Sequence, residues 1–346
     1  RRYLYLVFDE LTLPGDLPDA EQFSFESLPV GDATVWLVGR GYAASVEATE
    51  PTFGLVPENG KLDLNTVTAD MLALLPNIPE GLAERIVDWR DSDEQLTEGG
   101  AESQDYLIGE PSYYAKNADF ESIEELRFVL QDDWDYFFGE DTNFNGVLDL
   151  NENDGEATPP LDDQDGELDA GILEYVTIYS QEPTSLGDGT ERIDVTGDNM
   201  RQALRTILEE NLDEDRAADI LQTLGSQSFT SVLQLYAASG MDPEEFALID
   251  GYLYQPNPRD ENAEDDVVRG LININAASPE VLTCLFQDEV IATEIVAYRE
   301  TLEPASLTSV AWVAQALEGD AAAIQMIGPL ITGNCFMFTA DVAAVG

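Results

Sequence analysis

Leu62-Asp63-Leu64-Asn65-Thr66, followed by Met71-Leu72, is answered far along the chain by Ile272-Asn273-Ile274-Asn275-Ala276, followed by Val281-Leu282. Downstream of each comes a second match, Ile86-Val87-Asp88-Trp89-Arg90-Asp91 and Ile295-Val296-Ala297-Tyr298-Arg299-Glu300. Self-similarity of this kind marks a repeated supersecondary unit. Each copy reads as a short extended piece, a helix, a tight connection and a second helix. A weaker third copy runs from Arg192-Ile193-Asp194-Val195 through Arg216-Ala217-Ala218-Asp219-Ile220.

The pattern is that of helix-hairpin-helix-like units, which commonly grip nucleic-acid backbones through the amides of the connection. Here the first connection, Leu75-Pro76-Asn77-Ile78-Pro79-Glu80-Gly81, carries an acid, and Asp288 and Glu289 flank the second. Phosphate contacts dominate such binding and would be adverse. The units therefore read as scaffold. Within the first, Leu82, Ile86 and Trp89 share a helix face. Ser122 with Glu125 has the capping-box spacing of another helix start.

Outward from these units the texture changes. Phe23-Ser24-Phe25-Glu26 alternates with period two, Ala33 to Gly39 is β-branched and aromatic, and Leu4 to Phe8 is an apolar run of strand length. The first sixty residues thus read as strands and turns. Glu58-Asn59-Gly60-Lys61 is a turn signal, since Asn-Gly accepts positive φ. Sheet texture returns at Val267 to Asn275 and at Cys335 to Val342. The expected fold class is α+β: a discontinuous α/β core with an antiparallel sheet, residues 1–70 and 265–346, interrupted by a large, mostly helical insertion at 71–264.

Composition excludes several functions. The 346 residues carry 70 acidic against 15 basic side chains, a formal net charge of -55, so nucleic acid and anionic lipid are repelled. Such a charge suits a salt-rich medium, where screening lowers self-repulsion. There is no histidine, which removes Ser-His-Asp and Cys-His catalysis and imidazole zinc sites. The two cysteines, Cys284 and Cys335, either pair in an oxidising compartment or stand as separate buried thiols. No apolar run is long enough to span a bilayer.

Residues 139–170 hold the strongest chemical signal. In Asp141-Thr142-Asn143-Phe144-Asn145-Gly146-Val147-Leu148-Asp149-Leu150-Asn151-Glu152, every ligand position of an EF-hand-type calcium loop is filled. Asp141, Asn143, Asn145, the Val147 carbonyl, Asp149 and Glu152 supply oxygen, and Gly146 makes the turn. The flanks do not read as two long EF helices. A second cluster offers Asp163, Asp165, Glu167 and Asp169, but Leu161 stands at its first position and Ile172 at its twelfth. Glu174, or Glu152 and Asp154 of the preceding loop, would complete it. One calcium ion is expected, with a second at this cluster. Asp88, Asp91, Asp93 and Glu94 form a further acidic run, read mainly as a solvated helix end, with a supporting ligand role as the alternative.

Several stretches together resemble the minor pseudopilin K family of bacterial type II secretion systems. They are Glu58 to Asn65, Ile86 to Asp93, Gly99-Gly100-Ala101-Glu102-Ser103-Gln104-Asp105-Tyr106-Leu107, Tyr113-Tyr114-Ala115-Lys116-Asn117, Ser122 to Leu126 and Leu271 to Ala276. The likeness runs from residue 53 to the end. It implies a pseudopilin-like fold interrupted by a helical domain that holds calcium. It also implies a non-enzymatic role at the pseudopilus tip, with minor pseudopilins I and J as partners and the major pseudopilin below. The location would be the periplasm, with an inner-membrane anchor formed by an amino-terminal hydrophobic helix absent from this sequence. In that oxidising compartment a Cys284–Cys335 disulfide is expected. The residues alone also admit a calcium-stabilised secreted or surface enzyme of glycoside-hydrolase type, or a calcium-dependent binding module.

Overall fold

The structure is a computed structural model and describes residues 2–9, 11, 15, 17–18, 23–39, 51–160, 162–263, 266–303 and 306–346. It is a mixed α/β fold with several small, separate sheets and a large helical region.

The two ends of the chain meet in one antiparallel sheet. Ala33–Val38 lies in the middle, paired with Leu28–Val30 on one side and Asp341–Val345 on the other. Val7 of the helix Arg2–Asp9, Phe25 and Leu37 are the buried centre of a small cluster on this sheet. The apolar run Leu4 to Phe8 is thus helical, not a strand. Tyr3, Leu4 and Val7 pack with Phe25 and Leu37, while Leu6 and Phe8 are exposed, so burial on one side decides its conformation. Phe23 to Glu26 likewise forms no strand; pairing begins at Leu28.

A second antiparallel pair, Val56–Pro57 with Phe338–Thr339, forms a neck. The chain leaves the terminal sheet there and returns far along the sequence, antiparallel, with Pro57 facing Phe338 and Val56 facing Thr339. Glu58–Gly60 follows as a 3-10 turn in which neither Asn59 nor Gly60 takes positive φ. Gly60 is instead pressed against Ala276, whose carbonyl would lie 3.3 Å from an added Cβ. Glu58 is buried and accepts hydrogen bonds from the hydroxyls of Thr177 and Thr339.

Beyond the neck, one continuous hydrophobic cluster extends from Leu62 to Ile331. The sequence repeat is visible in its backbone. Leu62–Asp63 pairs in parallel with Val176–Thr177, Ile193–Asp194 with Leu253–Tyr254, and Ile272–Asn273 with Ile331–Thr332. In each unit the next amide, of Leu64, Val195 or Ile274, donates to the returning strand, at Thr177 O, Tyr254 O and Thr332 O. In each, an Asx turn follows: Asp63 Oδ1, Asp194 Oδ1 and Asn273 Oδ1 accept from the amide two residues on, at 2.8–2.9 Å. Helix pairs then follow, Ala69–Leu72 with Leu82–Arg90, Met200–Asn211 with Glu214–Leu224, and Pro279–Phe286 with Glu289–Glu300. Thr68 and Ser278 cap the first helix of the outer two units, each accepting the amide three residues on. Such a polar cap satisfies a donor that the helix start leaves without a partner.

The expected disulfide is absent. Cys284 and Cys335 are both buried free thiols. Cys284 lies on the helix Pro279–Phe286 within the main cluster, whereas Cys335 follows the strand Ile331–Thr332 and its Sγ donates to Met337 O at 3.2 Å. Burial, then the Glu280 carboxylate, pushes the Cys284 thiol up to about 12. Burial raises the Cys335 thiol as well.

Candidate functional site: two acidic regions

The loop 141–152 has the local geometry that its residue types dictate. Asp141, 5% exposed, accepts the amides of Asn145 and Gly146 at 3.0 and 2.9 Å. Asn143 Oδ1 accepts the Asn145 amide and Asn145 Oδ1 that of Val147. The side-chain amides of Asn143 and Asn145 both donate to Asp149 Oδ2, at 2.8 and 2.9 Å. Gly146, at φ +67°, supplies the left-handed turn. Glu152 Oε2 accepts from the Asp149 amide, while Glu152 Oε1 is buried with no hydrogen-bond partner among the described residues. Burial, together with the Asp141 and Asp149 carboxylates, raises the Glu152 carboxyl above its ordinary range. An inward, orphaned carboxylate oxygen at the twelfth position fits a hard cation that takes oxygen ligands. The flanking helical pieces are short 3-10 turns, Gln131–Phe137 before and Leu150–Glu152 at the end.

The second cluster divides. Asp163 Oδ1 accepts the Asp165 amide and Asp165 Oδ1 the Glu167 amide, two exposed Asx turns in sequence. Asp163 and Asp169 line a cleft of about 590 Å³ with Glu140, Asp162, Asp135 and Trp134; Asp165 and Glu167 are not among its walls. Asp162, which the sequence reading left unassigned, ties this segment to the preceding one through the amides of Asp154, Gly155 and Gln164. Glu140 Oε2 accepts the Asp169 amide at 3.0 Å. Glu174 lies in the short helix Ile172–Tyr175. Leu161 falls outside the described residues.

A tighter group lies elsewhere. Asp88, Asp91 and Glu102 place one carboxylate oxygen each within 4.8 Å of one another and can hold a divalent ion. Asp88 sits in the last turn of the helix Leu82–Arg90, and Asp91 is the residue that ends it. Glu102 arrives from across a glycine pair and precedes the helix Ser103–Tyr106. An added Cβ on Gly100 would lie 2.0 Å from Asp88 Oδ2, and Gly99 has φ +95°. The glycines let backbone, and nothing larger, come alongside the Asp88 carboxylate. Asp88 and Glu102 are fully buried. Asp88 Oδ2 accepts the Thr97 amide at 3.1 Å, but Asp88 Oδ1 and both Glu102 oxygens have no hydrogen-bond partner among the described residues. Burial, then the carboxylates of Asp88 and Asp91, pushes Glu102 up to about 7. Asp91 is raised too, by burial and then by Asp93 and Asp88. The sequence reading saw Asp88 and Asp91 as part of an acidic run and did not join Glu102 to them. The Gly99-Gly100 pair was the available signal.

These features define a mixed α/β protein with a large helical region and an acidic cluster, Asp88, Asp91 and Glu102, that could hold a divalent ion. Comparison with known proteins places the third group in a recognisable segment. Residues 64–134, which contain Asp88, Asp91 and Glu102, match the family described as type II secretion system (T2SS), protein K. Over 66 residues, 19% of this chain, the sequence is 38% identical to type II secretion system protein K of Pseudomonas aeruginosa. That alignment spans 20% of the relative's length. A chain from the crystal structure of the GspK-GspI-GspJ complex of the enterotoxigenic Escherichia coli type 2 secretion system aligns at 16% identity with a TM-score of 0.29, covering 75% of this chain and 82% of that one. Through this segment the chain resembles type II secretion protein K.

Proposed function

We propose that this chain is a non-enzymatic minor pseudopilin of the K kind, the bulky end subunit of a type II secretion pseudopilus. The observation that carries the reading is the match of residues 64–134 to protein K, over the same residues that bring three carboxylates together. Its partners would be the minor pseudopilins I and J, with the major pseudopilin below. It would act in the periplasm, held at the inner membrane by a hydrophobic helix and supporting export across the outer membrane. Among the described residues no helix is long and apolar enough to cross a membrane.

The fold suits a cap. A repeating subunit must offer complementary surfaces above and below. Here a discontinuous α/β core, entered and left through the neck at Val56–Pro57 and Phe338–Thr339, carries a helical insertion with helix-hairpin-helix-like units that would obstruct a subunit stacked above. Calcium would be held by Asp141, Asn143, Asn145, the Val147 carbonyl, Asp149 and Glu152. A second ion would lie between Asp163, Asp169 and their neighbours, with Asp165, Glu167 and Glu174 as the remaining candidates. The orphaned Glu152 oxygen supports the first assignment.

The test is assembly. Size-exclusion chromatography of the chain mixed with matching I and J domains should give a one-to-one-to-one complex. Labelled protein in assembled pseudopili should appear by electron microscopy at one end only. Label spaced along the shaft would refute the proposal.

A further inference from the structure

We infer that the cleft walled by Trp134, Tyr136, Phe138, Glu140, Asp163 and Asp169 binds an alkylammonium ligand, with a methylene stem on the rings and an ammonium head at the carboxylates. The cleft, about 590 Å³, has the volume of a small-molecule site and not of a single ion. Its ring wall is preformed. Trp134 stacks on Phe137 with centroids 4.6 Å apart, and Phe138 meets both edge-on, at 5.9 and 4.8 Å. The Tyr136 hydroxyl donates to Pro76 O at 2.7 Å, so its polar end is engaged and its ring is left to the cleft. All three rings of the wall are only half-buried in the folded chain. Covering them with methylene groups removes apolar surface from water.

The polar wall is anionic and short of donors. Glu140 is 7% exposed, and its Oε2 accepts the Asp169 amide at 3.0 Å. No hydrogen bond among the described residues reaches Glu140 Oε1, yet this oxygen is not sealed as those of Glu102 are. In a residue so buried, the cleft is the opening that it meets. Asp169 Oδ1 accepts the Asn77 side-chain amide and Asp163 Oδ1 the Asp165 backbone amide, each leaving Oδ2 without a described donor. No Lys or Arg lines the cleft, and no described ion pair includes these three carboxylates. Arg127, 5.3 Å over the Trp134 ring, is not among the walls. Such an acid-lined recess with apolar walls concentrates cations. Spacing and chemistry then select the kind of cation. Among the described residues only Asp88, Asp91 and Glu102 bring three acidic oxygens within 4.8 Å, so the carboxylates of the cleft are spread more widely. A calcium ion on Asp163 and Asp169 would take oxygen ligands only and leave the rings unused. A guanidinium fork prefers both oxygens of one carboxylate, and each of these three already has one engaged. An ammonium donates from a single point and makes no such demand.

The full chain, in calcium-saturated buffer, is titrated in a calorimeter with magnesium, diaminopropane and cadaverine. All are dications, so general attraction to an acidic chain treats them alike, and the cleft does not. Cadaverine has two more methylenes than diaminopropane and should bind one site about tenfold more tightly. Magnesium should not displace it. Glu140→Gln keeps the acceptor for the Asp169 amide and should weaken cadaverine about tenfold. Asp163 is exposed, so Asp163→Asn keeps the test valid if Glu140→Gln fails to fold. Tryptophan emission should shift with cadaverine, and Trp134→Phe should abolish the shift. Nα-acetyl-lysine amide separates the sources of the ligand. Binding on a par with cadaverine assigns the cleft to a lysine side chain of a partner protein, and binding of cadaverine alone assigns it to a free polyamine. Equal responses to the three dications, or cadaverine affinity unchanged in both carboxylate variants, would overturn the inference. Binding seen in chelator but lost in saturating calcium would overturn it in favour of a second calcium ion at Asp163 and Asp169.

Discussion

Arg90 and Arg299 do the same work in two copies of one unit. Arg90 donates to Leu64 O and Val67 O, and Arg299 to Ile274 O and Ala277 O, the carbonyls at corresponding places after each short parallel strand. Each guanidinium closes the turn between strand and first helix from the end of the second helix. Burial lowers both arginines from their ordinary pKa, and the backbone carbonyls they reach accept their hydrogen bonds.

Replacing either arginine by methionine should therefore cost stability, since two buried carbonyls lose their donors; about 2–4 kcal/mol is expected from the desolvation of such groups. Urea unfolding of Arg90→Met and Arg299→Met measures it. Lysine at either site should not restore the loss, because one ammonium cannot reproduce the planar fork.

Asp63 carries a pH dependence with a definite sign. It is buried, one oxygen has no partner, and burial pushes its carboxyl up to about 7 despite Arg269 and Arg90. The folded state thus binds a proton more readily than the unfolded one. This contribution is fully present below the unfolded pKa near 4 and is lost as pH rises through about 7. Asp63→Asn should remove the dependence and raise stability at pH 8 by roughly 1–2 kcal/mol. The unit that begins at Ile272 already has Asn273 at the corresponding place, making the same Asx turn. Equilibrium unfolding at pH 5 and pH 8 gives the comparison; a variant less stable than the parent at both would contradict the assignment.

Both cysteines should be silent in the native protein and reactive in the unfolded one. Titration with a thiol reagent in denaturant, without reductant, should count two thiols, because both are free. At pH 8 the native protein should react slowly, since burial keeps both thiols protonated.

The loop 141–152 should lose calcium affinity in Asp141→Ala and Glu152→Gln, and chelation should lower the melting temperature of the parent more than that of either variant. Gly146→Ala should cost about 1–2 kcal/mol even without metal, because its φ is +67°. Scanning calorimetry with and without a chelator separates the two effects.

Legibility differed by the range of the interaction. The repeat, the Ser122 cap with Glu125, the buried stripe of Leu82, Ile86 and Trp89, and the strand at Ala33–Val38 were all readable. Each depends on residues a few positions apart. Leu4 to Phe8 was misread because an apolar run of that length suits a strand or a helix, and only its contact with Phe25 and Leu37 decides. The cysteine pairing failed for a similar reason: pairing is a distance, and nothing local to Cys284 or Cys335 encodes it.

The amino-acid sequence alone determined the repeated units, the strongly negative charge, and the oxygen-rich loop at 141–152, since these follow from side-chain type and short spacing. Tertiary structure alone decided which distant groups meet. It brought Phe338 back to Pro57, laid three parallel strand pairs in the same pattern, and carried Glu102 over Gly100 onto Asp88. Those meetings depend on the path of the chain between the partners, and burial then sets their chemistry: the same carboxylates left in water would repel only weakly.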